Sequence, residues 1–314
     1  MSNTWFLKRK KCPVCASDKF RAIYKSQYDE SPIKDYLLDF YSPQGMVEFE
    51  YLDGASYILC ECDVCGLIFQ KDIPSDTLME RLYEHWLDPQ KVFRRHQKQD
   101  NLRYYSCYAQ EIMQIIAYIG KNPSSLHFLD FGMGWGKWAL MAKAFGCDSY
   151  GTELSLERAE YAKANGIKII KYEEIPQHRF DFINVEGVFE HIPEPLQILR
   201  HLKTALKADG FLKISVPDAN DIERRLKIMD WEAPKGSRDS LNQVAPLEHI
   251  NCFRRESLIK MASEAEMKEV PIPLKVQYGH ITDWSGPRRI IKNILLPIYR
   301  NLLKKQNYIF LHNI

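Results

Sequence analysis

Four sets of residues in this chain have types and positions that can do chemistry. Two C-x-x-C pairs, Cys12-Pro13-Val14-Cys15 and Cys62-Asp63-Val64-Cys65, have the spacing that lets two thiolates reach one tetrahedral ion while nearby backbone N–H groups donate to the sulfurs. The run Asp130-Phe131-Gly132-Met133-Gly134-Trp135-Gly136 places three glycines directly after an apolar stretch, where bare backbone lets a ligand approach the main chain closely. Glu153, at the tip of the next apolar stretch, offers a carboxylate that can accept from both hydroxyls of a ribose. His191 and His249 have unperturbed pKa values near neutrality and can take a proton from a hydroxyl.

The cysteines predict a four-ligand zinc site of Cys12, Cys15, Cys62 and Cys65. Four thiolates leave no position open for water, so the ion is expected to be structural. Gly66 fits the turn after the second pair, and 46 residues separate the pairs, so a small subdomain must lie between them. Met46 to Leu59 reads as a β-hairpin turning at Asp53-Gly54 that can fill it. Cys60 shares a strand face with Cys62 and is read as a bystander. Cys107, Cys147 and Cys252 are read as small, partly buried hydrophobes. In residues 1–75, 11 acids outnumber 9 bases, which argues against a nucleic-acid grip.

The elements that position the remaining residues follow from periodicity. Leu126 to Leu129 reads as a buried strand, Lys137 to Phe145 as a helix, Ser149 to Thr152 as a strand and Leu154 to Asn165 as a helix. Strands at Ile167 to Lys171, Phe180 to Val185 and Phe211 to Val216, with a helix over Leu196 to Leu206, complete an α/β fold: a mostly parallel Rossmann-like sheet with helices on both faces. Glu186 and Gly187 follow a strand, at the end where open sheets bind ligands. Dinucleotide sites and S-adenosylmethionine sites share this layout. A dinucleotide loop, G-x-G-x-x-G, requires a small residue where Lys137 stands.

The stretches LDFGMGWG (129–136), YGTELS (150–155) and the segment 180–217 resemble the class I S-adenosylmethionine-dependent methyltransferases. The resemblance implies S-adenosylmethionine as cofactor, held by Asp130, Gly132, Gly134, Gly136, Glu153, Glu186 and Gly187. Lys171 stands where many members carry an acid for the adenine amine, so that contact is not carried over. Glu186-Gly187-Val188-Phe189-Glu190-His191 resembles the segment lining the pocket between cofactor and acceptor. His249-Ile250-Asn251-Cys252-Phe253 resembles a segment found in methyltransferases of small molecules and glycans. His249 and His191 are therefore the candidate bases; His249 has the role of a pocket-lining donor as its alternative, and His191 that of a positioning or helix-capping residue. Trp231, Trp284 and Tyr278 are candidates for stacking on a sugar. The cysteine-bearing N-terminus together with this domain resembles bacterial sugar-modifying methyltransferases, which implies O-methylation of a sugar, nucleotide sugar or glycan, or of another small polar acceptor, in polysaccharide biosynthesis. Sugar C-methylation and RNA methylation are the alternatives.

The chain has 314 residues and a net charge of +2, which points to two domains and no strongly charged partner. The expected organisation is a zinc module (1–75), a helical cap (76–120) with Tyr104, Tyr105 and Tyr108, a methyltransferase domain (121–285) with a lid over 217–250, and a basic amphipathic segment (286–314). No signal peptide or spanning stretch is read, and a cytoplasmic place is expected. Arg288, Arg289, Lys292, Arg300, Lys304 and Lys305, interleaved with Ile, Leu and no acid, suit an anionic membrane surface over 288–305, or packing on protein.

Overall fold

The computed structural model describes residues 5–43, 45–88, 91, 94, 101–282, 284, 286–301, 303 and 307–314. It divides into two compact units, one of Met1–Gln99, Glu190–Glu194 and Pro217–Ser257, the other of Asp100–Phe189, Pro195–Val216 and Leu258–Ile314.

In the first unit the strands are β1 (Phe6–Lys8), β2 (Phe20–Gln27), β3 (Ser56–Cys62), β4 (Ile68–Gln70), β5 (Asp72–Pro74) and β11 (Asn251–Cys252). An antiparallel sheet runs β11-β4-β3-β2, and β1 pairs with β5. The expected hairpin at 46–59 does not form. Phe49–Tyr51 is a short 3-10 turn, and β3 pairs with β2 on one side and β4 on the other. Phe49 and Tyr51, which suggested a strand, are half-buried without a ladder; Tyr51 meets Trp5 edge-on at 4.7 Å and Arg81 over its ring at 4.2 Å, while Tyr57 joins β3. A core built around Tyr28, Tyr41, Tyr57, Trp86 and Trp231 fills this unit. The segment 217–250, expected as an irregular lid, carries the helix Ile222–Ile228 and packs into this core through Ile222, Leu226 and Trp231.

The second unit carries β6 (His127–Phe131), β7 (Asp148–Thr152), β8 (Lys168–Ile169), β9 (Phe180–Glu186), β10 (Leu206–Ser215), β12 (Met267–Glu269) and β13 (Tyr308–Asn313). Among the described residues they form one sheet in the order β8-β7-β6-β9-β10-β13-β12. The first five are parallel and β13 is antiparallel. The mixed sheet is the Rossmann-like architecture expected. Phe128 and Phe211 both stand in register with Phe182, and their rings meet at 5.5 and 4.9 Å. With Trp138, Ile112 and Ile115 they form the core on one face. Alternate residues Leu129, Ile183 and Leu212 are buried on the other.

The long helical stretch expected over 76–119 is broken. Asp76–Arg81 runs into a π-helical turn, Leu82–Trp86, and a separate helix spans Leu102–Ile119, capped by the Asn101 side chain. Most of the polar stretch between them lies outside the described residues. Cys147 and Cys252 are buried as expected, but Cys107 is exposed on the outer face of its helix. The helix Pro287–Asn301 forms in the basic C-terminal segment, while Leu302, Lys304 and Lys305 lie outside the described residues.

Candidate functional site

The chain crosses from β6 to β7 and β8 on one side, then returns to β9 and β10 on the other. That reversal opens a crevice at the carboxyl ends of β6 and β9. Gly134 follows β6 with φ +56°, and a Cβ built there would meet no atom within 4 Å. The loop is thus shaped for a backbone without side chains and leaves room for a ligand. Gly132 also has positive φ and packs where a Cβ would fall 2.8 Å from Val188. Gly136 begins the helix Lys137–Ala144.

Glu153 stands just beyond β7. Its Oε2 accepts from the Gly134 N–H at 2.9 Å and its Oε1 from the Ser155 N–H at 3.0 Å. The acid therefore braces the glycine loop. Asp130 is fully buried and stands in register with Asn184, whose Nδ2 donates to Asp130 Oδ1 at 2.7 Å. Burial raises its carboxyl to about 7, against the Asn184 hydrogen bond. Gly187 has φ +65° and donates its N–H to the Ser215 carbonyl at 2.9 Å. An open glycine cradle at the start of a helix and an acid at each of two strand tips fit S-adenosylmethionine.

Glu186 does not stand alone at the end of β9. Lys213, 0% exposed, donates to Glu186 at 2.8 Å and to Glu111 at 2.7 Å. Glu111 also accepts from Trp138 Nε1 and Tyr308 Oη, both at 2.8 Å. Burial opposes its ionisation, but the charge of Lys213 and the three donated bonds hold the carboxyl below the usual range. Sequence reasoning missed this group; a lone lysine inside the apolar run Phe211-Leu212-Lys213-Ile214 was its signal. Tyr104 and Tyr108 share a hydrogen bond of 2.8 Å, and Lys137 lies 5.5 Å over the Tyr104 ring.

In the first unit the four predicted cysteines converge. Their sulfurs lie within 4.8 Å of one another, with Cys12–Cys65 at 3.6 Å and Cys15–Cys62 at 3.5 Å. A zinc ion with bonds of about 2.3 Å requires sulfur separations of about 3.8 Å. Backbone groups of Val14 and Cys15 bond Cys12, that of Ser17 bonds Cys15 and that of Leu67 bonds Cys65. Ala16 and Gly66, each following a C-x-x-C pair, both take left-handed φ, +56° and +70°, so the two knuckles repeat one geometry. Cys60 is buried outside the cluster. The donor set and spacing fit zinc.

His191 and His249 also belong to the first unit, with ring centroids 4.9 Å apart. His191 Nδ1 lies 2.9 Å from the Glu248 carbonyl, which can only accept. The proton therefore sits on Nδ1 and leaves Nε2 a lone pair. Burial lowers His191 to about 4; burial, and secondarily the His191 charge, lower His249 to about 3. Both are neutral at pH 7. Glu190 joins them within 4.8 Å. Of the aromatic candidates, Trp231 is buried among Tyr24, Tyr36 and Tyr57, Trp284 is half exposed, and Tyr278 donates to the Ile294 carbonyl.

A family model described as a methyltransferase domain matches residues 96–268, more than half of the chain. The chain belongs to this methyltransferase family. This methyltransferase is 27% identical over 201 residues to a ubiquinone biosynthesis O-methyltransferase of Glaesserella parasuis, covering 56% of the chain and 80% of that relative. It is 31% identical over 150 residues to one from Neisseria meningitidis, covering 41% and 62%. Among solved structures, the plantazolicin methyltransferase BpumL with bound SAH aligns with a TM-score of 0.50 at 13% identity, covering 76% of this chain and 95% of that one. That likeness shows the fold. The methyltransferase is a class I S-adenosylmethionine-dependent enzyme with a Rossmann-like sheet.

Proposed function

We propose that the protein transfers a methyl group from S-adenosylmethionine to a hydroxyl of a small polar acceptor, a sugar, nucleotide sugar or glycan. The observation that carries the cofactor reading is Glu153 bonded to the Gly134 N–H beside an open glycine cradle. When bound, S-adenosylmethionine supplies a methyl already activated on a sulfonium. Glu153 would hold its ribose, with Asp130 and Glu186 at the neighbouring strand ends. Transfer to oxygen, supported by the names of the relatives, forms one C–O bond, breaks one C–S bond and releases the hydroxyl proton. His249 or His191, neutral and tautomerically fixed in the latter case, would accept that proton.

Cys12, Cys15, Cys62 and Cys65 would hold one structural zinc ion. The helix Pro287–Asn301 exposes Ile291, Ile294, Leu295 and Tyr299 beside Arg288 and Lys292. This pattern supports a peripheral contact with an anionic membrane. No helix of the described residues is long and apolar enough to cross one.

The test is calorimetric titration with S-adenosylmethionine and NAD, followed by an acceptor screen reading S-adenosylhomocysteine release. Saturable S-adenosylmethionine binding that Glu153→Ala weakens roughly tenfold to a hundredfold supports the cradle. Unchanged affinity in that variant means the ribose lies elsewhere.

A further inference from the structure

Within the first unit a cavity of about 550 Å³ opens beside the helix Ile33–Tyr41 and the loop 231–242. Its aromatic wall is Tyr36, Phe40 and Trp231; Tyr36 stacks on Phe40 with centroids 5.9 Å apart and meets Trp231 edge-on at 5.3 Å. The rest of its lining includes three cations, Lys91, Arg94 and Lys235, and two carboxylates, Asp39 and Glu232. Among the described residues none of the three cations has a carboxylate within ion-pair distance, 4.0 Å. The wall is set in advance. Arg224 binds Asp239 at 2.7 Å and the Arg238 carbonyl at 3.0 Å, and Arg225 binds the Ser240 carbonyl at 3.0 Å, so the helix Ile222–Ile228 pins the loop.

The chemistry of this lining narrows its occupant. A wholly apolar ligand would cover five charged side chains without pairing them, which is costly. A bare anion would leave the aromatic wall unused. A sugar ring offers an apolar face to an aromatic side chain and hydroxyls to carboxylates, while phosphate oxygens pair with guanidinium and ammonium groups. The volume falls within the range of pockets for ligands of that size. The cavity also adjoins the histidine pair: the Lys235 charge acts on both imidazoles, and Asn242, a lining residue, bonds His249 through its backbone.

We infer that this cavity binds a sugar carrying a phosphate or diphosphate, with Tyr36, Phe40 and Trp231 facing the ring, Lys91, Arg94 and Lys235 holding the phosphate, and Asp39 and Glu232 accepting sugar hydroxyls. That this ligand is the methyl acceptor rests on the function proposed above; that it binds does not. A nucleotide sugar and a glycosyl phosphate share this chemistry.

The test is calorimetry on the full chain with UDP-glucose, UDP, glucose 1-phosphate and inorganic pyrophosphate, alongside S-adenosylmethionine. UDP-glucose or glucose 1-phosphate should bind saturably. Arg94→Ala and Lys235→Ala should each weaken that binding about tenfold and leave S-adenosylmethionine affinity unchanged. Glucose 1-phosphate matching UDP-glucose assigns the site to a glycosyl phosphate, and UDP-glucose binding far tighter assigns it to a nucleotide sugar. Pyrophosphate or UDP binding as tightly as UDP-glucose overturns the sugar assignment. Normal S-adenosylmethionine binding with no response to any phosphate probe, or with probe affinity unmoved by both substitutions, overturns the inference alone. Sugar phosphate binding without S-adenosylmethionine binding overturns the methyltransferase reading and leaves the cavity assignment standing.

Discussion

Arg9 Nη1 donates to Asn251 Oδ1 at 2.9 Å, and the Nδ2 of the same asparagine donates to the Ile192 carbonyl at 2.7 Å. Arg9 also donates to the carbonyls of Ile250 at 3.0 Å and Pro193 at 2.8 Å. One buried guanidinium thus ties together the segments that carry His191 and His249. Gln70, on β4, adds to this by donating to the carbonyls of Ala245 and His249, both at 3.1 Å. Arg9→Ala leaves several buried acceptors without a donor. Hydrogen exchange of the amides in 190–194 and 249–252 should quicken at least tenfold, while zinc content stays intact; Arg9→Lys should restore part of the protection. Exchange rates equal to wild type in Arg9→Ala would show that the strands alone hold these loops.

Lys213→Met should be among the most destabilising single changes in the second unit. It strands the buried Glu111 carboxylate, a defect worth about 3–5 kcal/mol. The double variant Lys213→Met with Glu111→Leu removes both charges and should regain much of the loss. Thermal melting of the two variants decides the matter, and equal instability would mean that packing volume, not charge, is at stake.

Burial keeps His249 neutral to about pH 3 and His191 to about pH 4, whereas an unfolded histidine titrates near 6.5. The unfolded chain therefore binds these protons first. Their effect on stability is absent above pH 6.5 and becomes a growing loss as pH falls, reaching about 3 kcal/mol for His249 by pH 4. Urea unfolding of wild type and His249→Gln between pH 7.5 and 4.5 should show the variant with the shallower decline. Parallel curves would mean that His249 is not the source.

Replacing Cys12 and Cys62 by serine should abolish stoichiometric zinc in elemental analysis. Because β3 and β4 flank the second knuckle and β4 pairs with β11, two residues past His249, the same variant should lose order around the histidines. Its affinity for S-adenosylmethionine should be kept, since every cradle residue belongs to the other unit. Zinc retained at one per chain would remove the four-cysteine assignment.

For the C-terminal helix, Ile291 and Leu295 are 57% and 54% exposed. Changing both to serine should reduce cosedimentation with vesicles containing phosphatidylserine several-fold, with little binding to neutral vesicles in either protein. Concentration-dependent dimerisation lost in the variant, without vesicle binding in wild type, would assign the stripe to protein contact instead.

The sequence was most readable where a residue type has one physical use. Cysteine pairs at fixed spacing announced their convergence, and the glycine run marked the turn at β6 because few other residues take its backbone conformations. Apolar runs gave five strands of the Rossmann-like sheet, β6 to β10, although β10 begins at Leu206 rather than Phe211; β12 and β13 were not read, and β13 lies in the segment read as basic and amphipathic. The hairpin at 46–59 failed because Phe49 and Tyr51 are half-buried by side-chain packing rather than by strand pairing, and local pattern does not distinguish the two. The acid–base group around Lys213 and the clamp around Arg9 are long-range pairings. Only the lysine left a local trace, as a charge inside an apolar strand; Arg9 sits in an unremarkable basic stretch.

The three-segment make-up of the first unit has a consequence for how the chain is made. Arg9 and Ile250 are 241 positions apart, and β11 completes a sheet whose other strands end by Gln70. On a ribosome the cysteine-rich segment would emerge early, yet wait for most of the chain to follow before its last strand arrived. The first hundred residues are therefore not a portable cassette: a fragment ending there would carry the knuckles but expose the edge of β4 that β11 normally covers.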